Sequence, residues 1–370
     1  MELAKRIYNG EDITADDTLL RQTAKQLLNG VEKGFNGNIL SFNFSSPDFE
    51  TLAKLTENVY HFSAAKNYHE LKDLSLSIRD GNKIRSFEEF EAKAKEITNK
   101  YNVSWLRSEY NQALSSAQAS ARWNDFTKNK DTMPYLQYQA VMDNNTREDH
   151  AALHGVIKPI TDPFWDTYMP PNGWGCRCEA VQLPGSNYEP TPNENISYPP
   201  VPTMFQINFG KQQLVFPPSH PYYRGIPQNE WNKLEKQTKW AVEKYYNQII
   251  VDLAFNLKAK EKNEFFSTNL RTGKIIIHKR FAKNYINHVY NPTTKALYFG
   301  ILKHLDELTY LKTEPLNMNK PAKNLKAKQD RGVIGYNYYT YKVKGVKYGL
   351  IFENINGKYE TLYSVYIDKK

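Results

Sequence analysis

The sequence predicts an α+β protein: a mostly helical N-terminal region with a Cys/His knuckle, a Pro-rich linker, and a small C-terminal α+β domain with an antiparallel sheet. Three observations lead to this prediction. Apolar residues recur with helical periodicity over the first 130 positions, ten prolines lie between residues 184 and 227, and the last forty residues alternate as strands do. Because 370 residues exceed one ordinary domain, we place domains at 1–183 and 228–370, with a linker at 184–227.

The N-terminal helices are predicted from spacing and capping. Leu52, Leu55 and Val59 recur at intervals of three and four, which is the stripe of an amphipathic helix. Ser86 followed by Glu89 has the spacing of a capping box and opens a second helix. A third helix is predicted at residues 103–126, with alanines that let another helix approach closely. We assign these stripes to the core.

The C-terminal domain is predicted to combine helices with a small sheet. A long helix is expected at 231–253, a β-branched strand at 273–279 and mostly helix at 281–311. Three alternating segments then form an antiparallel meander at 338–343, 346–353 and 359–367. Asn356-Gly357 joins the last two segments, and this pair favours the positive φ angles of a tight hairpin.

Composition excludes several classes of protein. The mean hydropathy is −0.69 and no apolar run approaches 18 residues, so no membrane-spanning helix and no membrane partner are predicted. The first residues lack an apolar signal core, which favours retention in the cytoplasm of the producing cell. Two cysteines, Cys176 and Cys178, are too few for a disulfide scaffold.

The charge is distributed unevenly along the chain. Residues 201–370 hold 28 Lys and Arg against 13 Asp and Glu, a net charge of +15, whereas residues 1–200 carry −6. This polarity indicates that the C-terminal half meets a polyanion such as nucleic acid. A general surplus of lysine for solubility explains it equally well.

One segment has the donors of a metal site. A short helix is predicted between Thr146 and Gly155, and on it His150 and His154 lie four residues apart on one face. Cys176 and Cys178 follow some twenty residues later. Two imidazoles and two thiolates make a tetrahedral structural zinc site, so zinc is the expected cofactor. The alternative is a loop held by its tryptophans alone, without metal.

Residues 135–183 resemble the signature of the phage Mu protein F-like head morphogenesis family of minor capsid proteins. The residues that carry this resemblance are Asp143, Thr146-Arg147, His150, Leu153-His154-Gly155, Pro163-Phe164-Trp165, Pro170-Pro171, Trp174 and Cys176-Arg177-Cys178. With the helices upstream, the resemblance extends over roughly residues 1–210. One departure is His154, where related sequences often have Asp.

The resemblance implies a structural role. Members of this family act in head assembly or DNA packaging near the portal, so the expected partners are the portal and other capsid proteins. The expected locations are the host cytoplasm during assembly and then the virion. No catalysis is implied for the N-terminal half.

The C-terminal domain weakly resembles the barnase, EndoU, colicin and RelE-like nuclease domains of phage proteins in its element order and basic charge. This resemblance implies an alternative function, a ribonuclease-like effector that needs no metal. Its catalytic candidates are His278, Lys279, Arg280, Thr361 and Ser364. A third hypothesis is a module that grips packaged DNA.

Nucleic-acid contacts are predicted at two places in the C-terminal domain. Tyr339 and Tyr341 would stack on bases, and Lys323 and Lys326 would contact phosphates. Alternating tyrosines are also common as half-buried cross-strand pairs, and the lysines are equally suited to a solvated loop.

Overall fold

The computed structural model of the chain describes residues 2–38, 41, 46–256, 262–278, 305–316, 325–343 and 346–367. Two compact units are present. The first comprises Met1–Phe42 and Ser46–Ala241, and the second contains Val242–Lys370. The predicted α+β class is confirmed, because the first unit is mainly helical and the second is built on an antiparallel sheet.

Five helices of the described chain form the body of the first unit. They are α1 (Glu2–Tyr8), α2 (Asp17–Phe35), α3 (Pro47–Leu76), α4 (Phe87–Asn99) and α5 (Leu106–Asn129). A two-stranded hairpin, β1 (Arg79–Asp80) and β2 (Lys83–Ile84), connects α3 to α4. The predicted capping box opens α4, because Ser86 accepts from the backbone N–H of Glu89 and Glu89 accepts from that of Ser86. A π-helical turn, Lys100–Trp105, leads into α5.

Small residues let α2 and α5 pack closely. A Cβ added at Gly34 would lie 2.2 Å from the carbonyl oxygen of Leu114 and 3.0 Å from the Cβ of Ala117. Ala113 and Ala117 are fully buried on the opposing helix. The alanines of α5 were predicted from the sequence, and the structure adds the glycines of α2 as their partners.

A buried ion pair lies between α3 and α5. Lys66 and Glu109 have side chains only 1% and 4% exposed, and Lys66 Nζ donates to Glu109 Oε2. The same ammonium group donates to the carbonyl oxygen of Tyr101 at 2.7 Å. Glu70 is buried beside this pair and accepts a hydrogen bond of 2.7 Å from Asn102. Burial raises the pKa of Glu70 to about 7, against the attraction of Lys66.

We expect the stability of the first unit to depend on pH through Glu70. Its pKa is higher in the folded than in the unfolded chain, so folding favours the protonated side chain. The stability that depends on this proton is fully present below about pH 4.5 and is lost as pH rises through about 7. The shift corresponds to about 3 kcal/mol. Urea unfolding at pH 5 and pH 8 measures this effect. Between these two values the free energy of unfolding of Glu70→Gln should rise by about this much relative to that of the unaltered chain. The exposed Glu88 supplies the control, and Glu88→Gln should leave the pH dependence unchanged.

A three-stranded antiparallel sheet follows the helices. Its strands are β3 (Tyr135–Gln139), β4 (Ile157–Pro159) and β5 (Glu179–Gln182), and β3 lies in the middle. Two short helices, α6 (Glu148–Ala151) and α7 (Phe164–Tyr168), lie in the connections. Trp165 is the largest buried side chain of this core, and its indole Nε1 donates to the carbonyl oxygen of Pro159 at 3.0 Å.

The structure differs from the sequence prediction at the Pro-rich linker. Residues 184–227 belong to the first compact unit, and Phe205, Phe209 and Phe216 within them are essentially unexposed. Phe216 stacks on Phe62 of α3 with ring centroids 3.6 Å apart. Asn58 of α3 accepts hydrogen bonds from the backbone of residues 215 and 216 and donates to the Phe216 carbonyl. Prolines prevent a regular hydrogen-bond ladder here, but they do not prevent burial.

The second unit contains a six-stranded sheet in its described part. Its strands are β6 (Lys262–Phe266), β7 (Lys274–His278), β8 (Thr309–Pro315), β9 (Val333–Val343), β10 (Val346–Ile355) and β11 (Tyr359–Ile367), in the spatial order β6-β7-β11-β10-β9-β8. The pair β7 and β11 is parallel, and the other pairs are antiparallel. The predicted meander is confirmed as β9, β10 and β11. Asn356 and Gly357 both have positive φ, 51° and 71°, as the predicted hairpin turn requires.

The remaining connections are helical and differ partly from prediction. Helix α8 (Phe209–Gln212) lies in the Pro-rich segment, α9 (Gln228–Asn256) matches the expected long helix, and α10 (Leu325–Asp330) precedes β9. The predicted helix at 281–311 falls on undescribed residues as far as 304, and its end is strand β8 instead. In the described part of the chain, no helix is both long and apolar enough to cross a membrane.

Candidate metal centre

The sheet of the first unit brings the two halves of the predicted zinc site together. Gln139 at the end of β3 pairs with Glu179 at the start of β5. Cys178 comes directly before β5, and His150 lies on α6 in the connection that follows β3. Because β3 and β5 are hydrogen-bonded neighbours, residues that leave one strand and enter the other at this end are close in space.

His150, Cys176 and Cys178 form a cluster, called here the Cys/His cluster, whose ligand atoms all lie within 4.8 Å of one another. His150 Nδ1 is 3.7 Å from the sulfur of Cys176 and 3.5 Å from that of Cys178. A tetrahedral zinc ion with ordinary Zn–S and Zn–N bond lengths separates N and S ligands by about 3.6 Å. The three donors therefore have the spacing that a single zinc ion requires.

The electrostatics of the cluster favour a thiolate. The hydrogen bond with Cys176 lowers the pKa of Cys178 well below its usual value, and His150 and Tyr138 act in the same direction against the effect of burial. The same hydrogen bond, together with burial, raises the pKa of Cys176. The hydrogen bond between the two thiols thus favours the charged form of Cys178, which is the form that binds a metal.

The loop that carries the cysteines is held by buried hydrogen bonds. The Asn172 side chain is almost fully buried and donates to the carbonyl oxygens of Thr167 and Met169 at 3.1 and 3.3 Å. Its oxygen accepts from the Tyr138 hydroxyl on β3 at 3.1 Å. These bonds connect the loop to the sheet independently of any metal. The sequence analysis did not identify Asn172, although its position between Pro171 and Gly173 is typical of a turn.

Two arginines support the cluster from outside. Arg177, between the cysteines, makes two hydrogen bonds of 2.7 and 2.6 Å to Asp143, and these lower the pKa of that carboxyl. Arg147 donates to the carbonyl oxygen of Trp174 at 2.6 Å. Both contacts join the connection after β3 to the cysteine loop. They explain why Asp143 and the two arginines occur together in the motif.

The structure places His154 outside the cluster, which corrects the predicted set of four ligands. Helix α6 ends at Ala151, so His150 and His154 do not share a helix face. The chain turns there, Leu153 is buried, and His154 is exposed while its Nδ1 accepts from the backbone N–H of Ala140 at 3.2 Å. The described residues thus supply three donors to the cluster in place of the predicted four.

The nuclease candidates do not form a described catalytic site. His278 ends β7, but its side chain, Lys279 and Arg280 lie outside the described residues. Thr361 is buried, and its hydroxyl donates to the carbonyl oxygen of Ile276 at 2.9 Å, a bond between strands β11 and β7. Ser364 is half-buried opposite Ile351. The nuclease hypothesis remains a prediction without further support.

The predicted nucleic-acid residues are separated by the structure. Tyr339 and Tyr341 are buried, and the Tyr339 hydroxyl donates to Glu360 at 2.8 Å, so these rings have no open face for a base to stack on. They pack as interior residues of the sheet instead. Lys326 is exposed on α10, and Lys323 lies outside the described residues.

These contacts define an α+β protein whose helical unit holds a Cys/His cluster beside two antiparallel strands. A family model described as Phage Mu protein F like protein matches residues 72–181 of this chain, and that segment contains the whole cluster. The predicted family resemblance is therefore confirmed over this segment. The chain carries a phage Mu protein F-like region.

Two curated relatives match the chain over a short stretch. The putative capsid assembly protein F of Escherichia phage Mu is 43% identical over 74 residues, which is 20% of this chain and 17% of that protein. The Mu-like prophage FluMu F protein of Haemophilus influenzae is 47% identical over 68 residues, which is 18% of this chain and 16% of that protein. The match thus covers less than a fifth of either relative's length. No solved structure matches the chain.

Proposed function

We propose that the chain is a minor capsid protein that acts in phage or prophage head assembly near the portal. The observation that carries this proposal is the F-like segment at 72–181, whose relative in phage Mu is described as a capsid assembly protein. The expected partners are the portal and other head proteins, first in the host cytoplasm and then in the virion.

The Cys/His cluster is proposed to hold a structural zinc ion. His150 and Cys176 are buried, Cys178 is partly buried, and the spacing of their donor atoms fits tetrahedral coordination. Zinc would join the cysteine loop to α6 at the edge of the core around Trp165, against which Cys178 packs. A metal is a common means of fixing a segment that has too little core of its own.

The assembly role is tested by replacing the gene in the phage or prophage that encodes the chain. We expect deletion to abolish filled heads in electron micrographs. Cys176→Ser should reduce them strongly, because one ligand of the cluster is lost. His154→Ala is the matched control, since this histidine lies in the same motif but outside the cluster, and it should leave head numbers unchanged.

Two results would contradict these proposals separately. Normal numbers of filled heads after deletion would exclude the assembly role. Normal heads with Cys176→Ser, together with their loss on deletion, would retain the assembly role and exclude a need for the cluster in it.

A further inference from the structure

The six-stranded sheet of the second unit has two faces of different character. Tyr339, Leu350 and Phe352 belong to one face, which is buried. The opposite face carries four tyrosines, Tyr336, Tyr338, Tyr363 and Tyr366, called here the tyrosine face. Tyr363 and Tyr366 on β11 are 41% and 42% exposed, whereas Tyr339 on β9, on the other face, is fully buried.

Tyrosines of β9 and β11 meet on this face. The rings of Tyr336 on β9 and Tyr363 on β11 have centroids 5.4 Å apart. Tyr366 on β11 lies opposite Gly349 on β10, and a Cβ added at Gly349 would come within 2.2 Å of the Tyr366 ring. Gly349 therefore leaves the space in which this ring lies flat across the neighbouring strand. Tyr363 and Tyr366 are three residues apart on β11, and a register shift between Leu362 and Ser364 leaves Tyr363 on the same face as Tyr366.

Cations lie against the same rings. Lys328 Nζ is 4.4 Å from the ring centroid of Tyr363 and 5.1 Å from that of Tyr336. Lys312 Nζ is 5.0 Å from the centroid of Tyr338. Arg331, whose side chain is half exposed, borders the same region. Cation–π contacts of this kind hold positive charge beside the aromatic surface.

The charge of this face favours an anionic partner. Its carboxylates are Glu314, which pairs with Lys312, and Glu353, which pairs with Arg331 and Lys328. Lys342 on β9 is exposed and lies on the same face of the sheet as Tyr336 and Tyr338. Cations therefore outnumber carboxylates, and they belong to the half of the chain with a net charge of +15. An exposed aromatic surface with bordering cations matches the two requirements of single-stranded nucleic acid, which are stacking and phosphate neutralisation.

We propose that the tyrosine face binds single-stranded nucleic acid without sequence preference. Bases would stack on Tyr363 and Tyr366, and the cations Lys312, Lys328 and Arg331 would lie near the phosphates. This site goes beyond the proposed role in head assembly and does not depend on it. It also differs from the site predicted from the sequence, because Tyr339 and Tyr341 belong to the opposite face of the sheet.

The proposal is tested on the full chain with a fluorescent 20-nucleotide oligothymidylate. We expect the double variant Tyr363→Ala, Tyr366→Ala to raise the dissociation constant at least fivefold, because each stacked base loses its aromatic partner. Arg331→Gln should weaken binding. It should also reduce the slope of log affinity against log salt concentration by about one unit. The matched control is Tyr310→Ala. Tyr310 is 39% exposed on the same sheet, but it lies on the other face against Tyr339, so binding should not change.

A second variant changes the face without removing a ring. Gly349→Ala forces the end of the Tyr366 side chain to move, and we expect a smaller loss of affinity with an unchanged circular-dichroism melting curve. The proposal is overturned if the double tyrosine variant binds the oligonucleotide as tightly as the unaltered chain does. It is also overturned if the unaltered chain does not bind the oligonucleotide. Binding to a duplex of the same length as tightly as to the single strand would also overturn it, because a duplex offers no free base faces.

Discussion

Replacing Glu109 by Gln should destabilise the first unit by about 3–5 kcal/mol. The substitution leaves the Lys66 ammonium group buried, at 1% exposure, without its carboxylate partner. Burial already lowers the pKa of Lys66, and Glu109 is the largest influence that opposes this effect. Without Glu109 the lysine must lose its proton or open the interface between α3 and α5, and either change costs folding free energy.

Urea unfolding followed by tryptophan fluorescence measures this effect in the first unit. All six tryptophans of the chain, at 105, 123, 165, 174, 231 and 240, lie in that unit, so the signal does not mix the two units. The control is the double substitution Lys66→Met, Glu109→Leu, which removes both charges. It should recover most of the stability, with about 1–2 kcal/mol still lost because the Tyr101 carbonyl loses its donor and the Tyr222 hydroxyl loses its partner Glu109. A change below 0.5 kcal/mol for Glu109→Gln, on the order expected at ordinary surface sites, would show that the pair contributes little.

Features encoded within a few residues were predictable from the sequence. Ser86 and Glu89 form their capping box because both bonds are local to one helix turn. Asn356-Gly357 forms its turn because few other residue pairs tolerate positive φ at two successive positions. The meander followed from its alternating pattern for the same reason. Local physical chemistry therefore fixed these elements before tertiary packing was considered.

Features that depend on tertiary packing were not predictable in the same way. The Pro-rich segment was predicted as a linker from its prolines, but Phe205, Phe209 and Phe216 between those prolines are buried. The apolar residues were a signal in the sequence, yet only the folded chain shows what they pack against. Phe216 stacks on Phe62 of α3, and Phe205 contacts Phe209 and Trp174. Proline density reports on backbone hydrogen bonding and gives no information about side-chain burial.

The two candidate sites show how far residue spacing can be used. A spacing of four places His150 and His154 on one face only if the helix continues, and α6 ends at Ala151. In β9 both parities carry tyrosines, so alternation alone could not decide which set is buried. Packing decided it, because Tyr339 lies opposite the fully buried Leu350 and contacts Phe352, whereas Tyr336 and Tyr338 are only half-buried. The alternation within the strand does not contain this information.

Removal of zinc should lower the stability of the first unit, and this is the second large effect that we expect. The purified chain should contain about one zinc per molecule by elemental analysis, and chelation should reduce the free energy of unfolding by at least about 3 kcal/mol, as expected when free zinc exceeds its dissociation constant a hundredfold. The physical reason is that His150, Cys176 and Cys178 are brought together only in the folded chain. Trp174 lies in this loop and Trp165 lies on α7 just before it, so tryptophan fluorescence is a direct readout.

The variants separate a metal effect from a packing effect. Cys176→Ser should lose both the bound zinc and the response to chelation, because it removes one of three donors. His154→Ala should keep both, since His154 contacts the backbone of Ala140 and not the cluster. An unaltered chain that is free of zinc as purified and whose unfolding midpoint does not rise when zinc is added would exclude the metal. In that case the hydrogen bonds of Asn172 and the pair Asp143–Arg177 would be sufficient to hold the loop.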